Sequence, residues 1–420
     1  MSEAVVKPGF KKSEVGVIPE DWDIRTLGSL TSLMTNGFVG KATSAYTDSV
    51  DGVIYIQGYN VEENSFNLDG IKRVSKSFHE KNQKSCLQVG DLLTIQTGDI
   101  GVTTVVPPSL VGANCHALVI SRLFKNIANP YFFCYYFNSK YGRAAFKEIE
   151  TGSTMKHLNV GDMIRIFVPL PPLPEQHAIA AALSDADGLL GALETLFAKK
   201  RAIKQAAMQQ LLTGKTRLPG FEGEWETKRL GDIASIRNQK VIPSNLEPDL
   251  PCVELEHIGQ GDGRLLKYST AKYSTSYKYC FFVGDILFGR LRSYLRKFWL
   301  ADRNGICTTE IWPLMVKEKE AVSGFLLAIV QSDQFIEIAN ISYGTHMPRA
   351  DWDVVSNLEM LIPGIEEQHA IATVLSDMDA EILALEYRRE KTIAIKEGMM
   401  QQLLTGKIRL IELHQLEVTA

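Results

Sequence analysis

"EQHAIAAALSDADGLLGALETLFAKKRAIKQAAMQQLLTGKTRL" fills residues 175–218. A shift of 192 residues lands on "EQHAIATVLSDMDAEILALEYRREKTIAIKEGMMQQLLTGKIRL" at 367–410. Of these 44 positions, 27 are identical. The chain is written twice, and a duplication decides the fold before any single element does. In the first copy Ile179, Leu183, Ala186, Leu190, Leu193 and Phe197 alternate spacings of four and three, a heptad seam. Ile371, Leu375, Met378, Ile382 and Leu385 repeat it. Pro174 suits a first helical turn and Glu175 its positive end. In the second copy Pro363 and Gly364 stop a preceding strand. Gly214 and Gly406 follow "QQLLT" and suit left-handed caps, with Lys215 and Lys407 at the negative end. A helix over about 176–212 would be on the order of 55 Å long. Gly188 and the nearby "SDAD" leave its continuity open. Two such helices, each with one apolar seam, would cover each other as an antiparallel pair, holding the intervening blocks at opposite ends about an approximate two-fold.

Weaker echoes precede each copy. "DWDIRTLGSLTS" (21–32) matches "EWETKRLGDIAS" (224–235), "VGDLL" (89–93) matches "VGDIL" (283–287), and "TGSTM" (151–155) matches "YGTHM" (343–347). Their offsets drift between 192 and 203, so insertions separate them. Divergent and similar blocks therefore alternate, as expected of two recognition modules on one frame. The divergent blocks read as mixed α/β. Short β-rich runs ("GVIYIQG" 52–58, "TTVVP" 103–107, "CHALVISRLF" 115–124, "DILFGR" 285–290, "EIWPLMV" 310–316) precede helical stretches at 129–149 and 324–339. Each block closes on a strand running into proline, "IRIFVPLPP" and "LEMLIPG".

At 420 residues the chain has room for two to four domains. Hydrophobic residues make up 45% and charged ones 22%, as in soluble globular proteins. No apolar run approaches a bilayer span and the N-terminus lacks a signal-type core, which points to an intracellular, cytoplasmic protein. The six scattered cysteines form no CxxC pair, so neither zinc nor a disulfide framework is indicated. The net charge of −4 makes any anion-binding surface local.

Charge is uneven inside the second divergent block. Residues 264–303 carry nine Lys/Arg against Asp285 and Asp302, interleaved with aromatics such as Tyr268, Tyr273, Tyr277, Tyr294 and Trp299. At its centre "FGRLRSYLRKFW" (288–299) reads as strand, tight turn at Gly289–Ser293, and strand. A turn bearing Arg290 and Arg292 can reach a duplex groove, where arginine pairs with guanine or binds phosphate. A solvated basic hairpin is the bland alternative. In the first block the basic run is "IKRVSKSFHEKNQK" (71–84), and the corresponding turn, "QTGDIG" (96–101), is polar but not basic.

Several motifs carry no chemistry. "TGKT" (213–216) has Gln209 where a phosphate loop needs its first glycine, and its repeat reads "TGKI". "NPYF" (129–132) lacks the second proline of the amino-methyltransferase motif and reads as a helix start; "GQGDG" (259–263) is an unspecific turn. His177 and His369 have no second ligand at i+3 or i+4, and Glu254 and Glu256 lack a nuclease lysine. No catalytic constellation results.

"IPEDW" with "LG" (18–28), "PLPEQHAIA" (172–180), "MQQLLTGKTRLPGF" (208–221) and "MQQLLTGKIRL" (400–410) together resemble the specificity subunit of type I restriction–modification systems, over the whole chain. The resemblance implies an α/β (mixed α+β) protein. Two pseudo-symmetric globular target-recognition domains (1–173 and 219–365) would be joined by two long helices in helical spacer regions (174–218 and 366–420), forming an antiparallel coiled coil. Each domain would read one half of an asymmetric bipartite site in double-stranded DNA. The helices would fix the gap and dock two modification (methyltransferase) subunits, joined by restriction (translocase/nuclease) subunits. The chain itself would be non-catalytic and hold no cofactor or metal. S-adenosylmethionine, ATP and Mg would sit on the partners. Candidate DNA contacts are Arg290, Arg292, Ser293, Tyr294, Arg296, Lys297, His346 and Arg349 in the second domain, and Gln96, Thr97, Lys72, Lys76, Thr154 and Lys156 in the first. Candidate partner contacts are Glu175, Gln176, His177, Glu367, Gln368 and His369. A coiled-coil scaffold that touches no DNA and a stand-alone DNA methyltransferase are the competing readings. Unchanged duplex mobility with the complex would favour the first, and methylation by the chain alone the second.

Overall fold

The computed structural model describes residues 7–152, 156–273, 276–317, 319–341 and 348–410. The chain forms two compact units, Met1–Ala192 with Arg389–Ala420, and Leu193–Arg388. Two helices of 39 residues, a central one (Leu173–Leu211) and a C-terminal one (Ile365–Leu403), contribute to both. The central helix runs unbroken past Gly188. Gly214 and Gly406 lie just past the helix ends with φ of 67° and 66°, the left-handed conformation expected of them. A side chain at 406 would also collide with Pro19, 2.3 Å from where its Cβ would stand.

Inside each unit the helices run antiparallel. In the first, Asp187 meets Lys396. In the second, Lys200 meets Glu381 at 2.6 Å and Lys204 meets Asp379 at 2.5 Å, so numbers rise on one helix as they fall on the other. The seam residues Ile179, Leu183, Leu193, Ile371 and Leu375 are buried. Ala186, Leu190, Phe197, Met378, Ile382 and Leu385 are half-buried, and each domain packs its core against the helix segments of its own unit, as Ile179 and Leu183 in the first and Ile371 and Leu375 in the second show.

The same plan is built in both units. A four-stranded antiparallel sheet is ordered Thr103–Val105, Leu92–Ile95, Leu118–Leu123, Thr31–Asn36 in the first unit. The second orders its sheet Phe298–Leu300, Ile286–Gly289, Ile311–Val316, Ala234–Ile236. The buried aspartate of each "VGD" phrase anchors it through a bidentate arginine: Asp91 with Arg122 and Asp285 with Arg237. A second, mixed sheet, of three strands in the first unit and five in the second, carries one parallel pairing in each, Val53–Ile56 with Asn114–Cys115 and Pro251–Val253 with Gly305–Thr308. The strand that enters each unit pairs with the one that leaves it: Asp23–Thr26 with Phe167–Leu170, and Glu226–Arg229 with Glu359–Ile362. The first unit also has two small hairpins, Phe10–Ser13 with Gly16–Pro19 and Val61–Glu62 with Ser65–Phe66.

Each expected helical stretch at 129–149 and 324–339 is two helices. Ser139 breaks the first into Pro130–Asn138 and Lys140–Ile149, and Ser332 breaks the second into Ser323–Gln331 and Asp333–Ala339. Each serine is extended and its hydroxyl accepts amide N–H groups of the helix that follows, so a cap overrides the continuous apolar pattern. The described residues contain no helix long and apolar enough to cross a membrane.

Candidate nucleic-acid interface

The repeated "EQ" joins elements within the chain. Glu175 is buried and accepts from Trp22 Nε1 at 3.0 Å and from Arg409 through two bonds of 2.5 and 2.7 Å. Arg409 also donates to both oxygens of Asp21. In the second unit Glu367 is held in the same way by Trp225 Nε1 at 3.0 Å and by Arg217 through two bonds of 2.6 Å. Each glutamate thus clasps the arginine that ends the other repeat. Burial works against the Arg409 charge, but the bonds to Glu175 and Asp21 prevail and raise its pKa; the Glu367 bond raises that of Arg217. Gln176 accepts from Asn129 N–H and donates to the Ile127 and Pro171 carbonyls. Gln368 accepts from Val322 N–H and donates to the Glu320 and Pro363 carbonyls.

The expectation that Glu175, Gln176, Glu367 and Gln368 face a partner is therefore corrected. All four are buried and bonded internally, bolting helix to domain. His177 and His369 are exposed; His177 Nδ1 lies 2.8 Å from Asn129 Nδ2. Trp22, Trp225, Arg217 and Arg409 were missed. Their signal was that both copies keep the tryptophan and the final arginine.

In the second unit the connection between Ile286–Gly289 and Phe298–Leu300 spans residues 290–297, longer than the expected tight turn. Two left-handed residues shape it, Arg292 (φ 54°) and Arg296 (φ 49°), on either side of a short 3-10 turn, Ser293–Leu295. Such conformations are costly for residues with a Cβ and persist where the surroundings impose them. Backbone bonds lace the loop to a distant segment: Arg292 N–H to the Pro348 carbonyl and Ala350 N–H to the Arg290 carbonyl. Arg290, Arg292 and Arg349 are thereby brought together.

Their side chains divide into two groups. The Ser293 hydroxyl is buried and bonded to the Ala339 carbonyl and Asn340 Oδ1. Arg296 pairs with Asp333, and this pairing holds the Asp333 carboxyl below its ordinary pKa. Lys297 Nζ donates to the Leu255 and Ile258 carbonyls, and Arg349 forks onto Glu310. These four hold the loop through internal partners, with Arg349 remaining exposed beside Glu310. Arg292 and Tyr294 are exposed. Arg290 is half-buried, its guanidinium 5.4 Å from the Trp312 ring centre, and its buried Nε has no hydrogen-bond partner among the described residues. His346 lies outside the described residues.

The basic patch at 264–303 is largely neutralised from within. Of its nine cations, Arg264, Lys267, Lys278, Arg296 and Arg303 pair with carboxylates and Lys297 with carbonyls. Lys272, Arg290 and Arg292 remain.

The first unit differs. Gln96 Nε2 donates to the Leu158 carbonyl, so Gln96 is a strut; Thr97 beside it is exposed. Arg143 holds the turn through the Ile100 carbonyl, and no cation stands in the turn itself. Lys156 pairs with Glu150 at 3.0 Å, and Thr154 lies outside the described residues. Lys72 and Lys76 are exposed. Among the described residues no cluster of His, Cys, Asp and Glu is placed to hold a metal ion.

Comparison with known proteins agrees with this doubled plan. The sequence profile of the family described as "Type I restriction modification DNA specificity domain" matches residues 19–205 and again 222–394. The chain is 23% identical to the type I restriction enzyme MjaVIII specificity subunit of Methanocaldococcus jannaschii, over 96% of this chain and 97% of that one. It is 24% identical to the type I restriction enzyme EcoDI specificity subunit of Escherichia coli, over 61% and 65%. In fold it is similar to the crystal structure of the type I restriction-modification system S subunit from M. genitalium, with TM-score 0.57, 16% identity, and coverage of 91% and 96%. Matched twice and over most of its length, the chain belongs to the type I restriction–modification DNA specificity family.

Proposed function

We propose that this chain is the sequence-reading subunit of a type I restriction–modification complex. Each unit reads one half of an asymmetric bipartite site in double-stranded DNA. The helix pair sets the gap between the halves and docks two methyltransferase subunits, and restriction subunits complete the assembly. The chain contributes no catalytic group and no cofactor; S-adenosylmethionine, ATP and Mg belong to the partners. It works in the cytoplasm, where the DNA is.

The observation that carries the reading is one frame built twice with unlike chemistry at corresponding loops. After equivalent strands the first unit presents "QTGDIG" and the second a loop led by Arg290 and Arg292. Two copies that differ where they meet a ligand suit two different half-sites. Arg292 is exposed and its fork matches the acceptors of guanine in the major groove. Arg290, stacked on Trp312, is pre-set in direction.

The test is methylation sequencing of a host with this chain, without it, and with one helical turn (about four residues) inserted between Leu190 and Lys200. The expected result is a bipartite motif that depends on the chain. The insertion should change its gap and leave its half-sequences alone. A motif unaffected by the chain, or an unchanged gap, would refute the reading.

A further inference from the structure

The run at 71–84 holds five cations, and Glu80 is its single carboxylate. Arg73 is engaged by the Gly52 carbonyl at 2.7 Å. Lys72, Lys76, Lys81 and Lys84 are exposed, and among the described residues no carboxylate lies within ion-pair distance of any of them. In the second unit most cations of the comparable patch have internal partners. A group of like charges without neutralising neighbours repels itself, and a polyanion relieves that cost.

The lysines stand on a well-fixed mount. Lys72 lies on the strand Lys72–Val74, paired to Val53–Ile56. Lys76 and Lys81 begin and end a short helix capped by Ser75, whose hydroxyl accepts from Phe78 N–H. Phe78 packs edge-on against Phe38 and Tyr55. Buried Asn114 ties down the next turn through the Asn82 carbonyl and the Ser85 hydroxyl. Lys81 and Lys84 stand at the rim of a cleft of about 570 Å³. A rigid backbone under mobile ammonium groups loses little order when a ligand binds. Ammonium groups act as point charges, suited to phosphate rather than to the planar edge of a base.

We infer that the Lys72–Lys84 edge of the first unit grips the DNA phosphodiester backbone, so that the two units divide the work. Besides reading its own half-site, the first supplies much of the salt-dependent affinity, whereas the second, with three cations left over, contributes less of it. This rests on the DNA-reading role proposed above.

The test uses the complex of the full chain with its methyltransferase subunits and a duplex carrying the motif found by methylation sequencing. Affinity is measured by fluorescence anisotropy across a salt series. The K76Q/K81Q/K84Q variant should flatten the plot of log affinity against log salt by about 2 to 3, one phosphate contact per lysine, while the methylated motif stays the same. The matching arginine triple variant should restore the slope. K267Q, whose ammonium already pairs with Glu256, should leave it unchanged. A triple glutamine variant with the parent's slope and affinity overturns the lysine assignment alone. A parent complex that does not bind the duplex at any salt overturns the DNA reading beneath it.

Discussion

The two units share strand order, a buried Asp–Arg anchor and a Glu–Trp–Arg clasp, yet their cations are used in opposite ways. The second unit looks the more basic in sequence, but its lysines and arginines mostly close loops onto the domain: Arg296 on Asp333, Lys297 on two carbonyls, Arg349 on Glu310. The first looks ordinary, yet Lys72, Lys76, Lys81 and Lys84 have no carboxylate partner among the described residues. Charge in a sequence counts groups, whereas recognition depends on the groups that folding has left without a partner.

The two clasps differ in how many carboxylates each arginine holds. Arg409 binds two carboxylates and Arg217 one, against buried glutamates in both cases. Arg409→Ala should destabilise the first unit by about 3–5 kcal/mol, the cost of stranding a buried charge. Arg217→Ala should act in the same direction on the second unit, by less. Urea unfolding of the purified chain reads both, and equal small losses would show the clasps to be incidental.

Within the recognition loop, Ser293→Ala should cost about 1–2 kcal/mol of stability, because the buried Ala339 carbonyl loses its donor. Exposed Arg292→Ala should change stability by no more than about 0.5 kcal/mol, its effect being confined to DNA. Thermal unfolding of the two variants side by side separates strut from reader.

The smallest expected difference is in pH response. Burial lowers the His116 pKa from its ordinary 6.5, and its Nδ1 lies 3.0 Å from the Tyr55 hydroxyl. The folded chain thus resists a proton that the unfolded chain accepts. The stability this contributes is whole above 6.5 and is lost as pH falls from there through the lowered folded value. The second unit has Thr308 after Cys307 where the first has His116 after Cys115. Mild acid should therefore loosen the first unit slightly, and His116→Gln should remove that part of the response in a melting series between pH 5.5 and 7, about one unit either side of an ordinary histidine.

The doubled frame was legible because its information is local. A heptad seam, cap glycines and 27 identities in 44 positions lie along one stretch of chain. The clasp was hidden because Glu175 meets an arginine 234 residues away, and a repeat does not say which copy a residue pairs with. "EQHAIA" was read as a docking surface for the same reason: the Gln176 partners, Ile127 and Asn129, precede it by nearly fifty residues. The loop at 290–297 was placed correctly in sequence. Its struts could not be told from its readers, because Asp333, Gln331 and Asn340 come from the helix pair beyond the sheet.

If the two units read DNA independently, each specifies its own half of the target. The most direct test is methylation sequencing of hosts carrying the parent chain and the Arg290→Ala and Arg292→Ala variants. The expected outcome is a motif degenerate at one or two positions of one half, each lost base contact weakening discrimination by about 1–3 kcal/mol, with the other half and the gap intact. Equal loss in both halves, or an unaltered motif in both variants, would contradict independent reading.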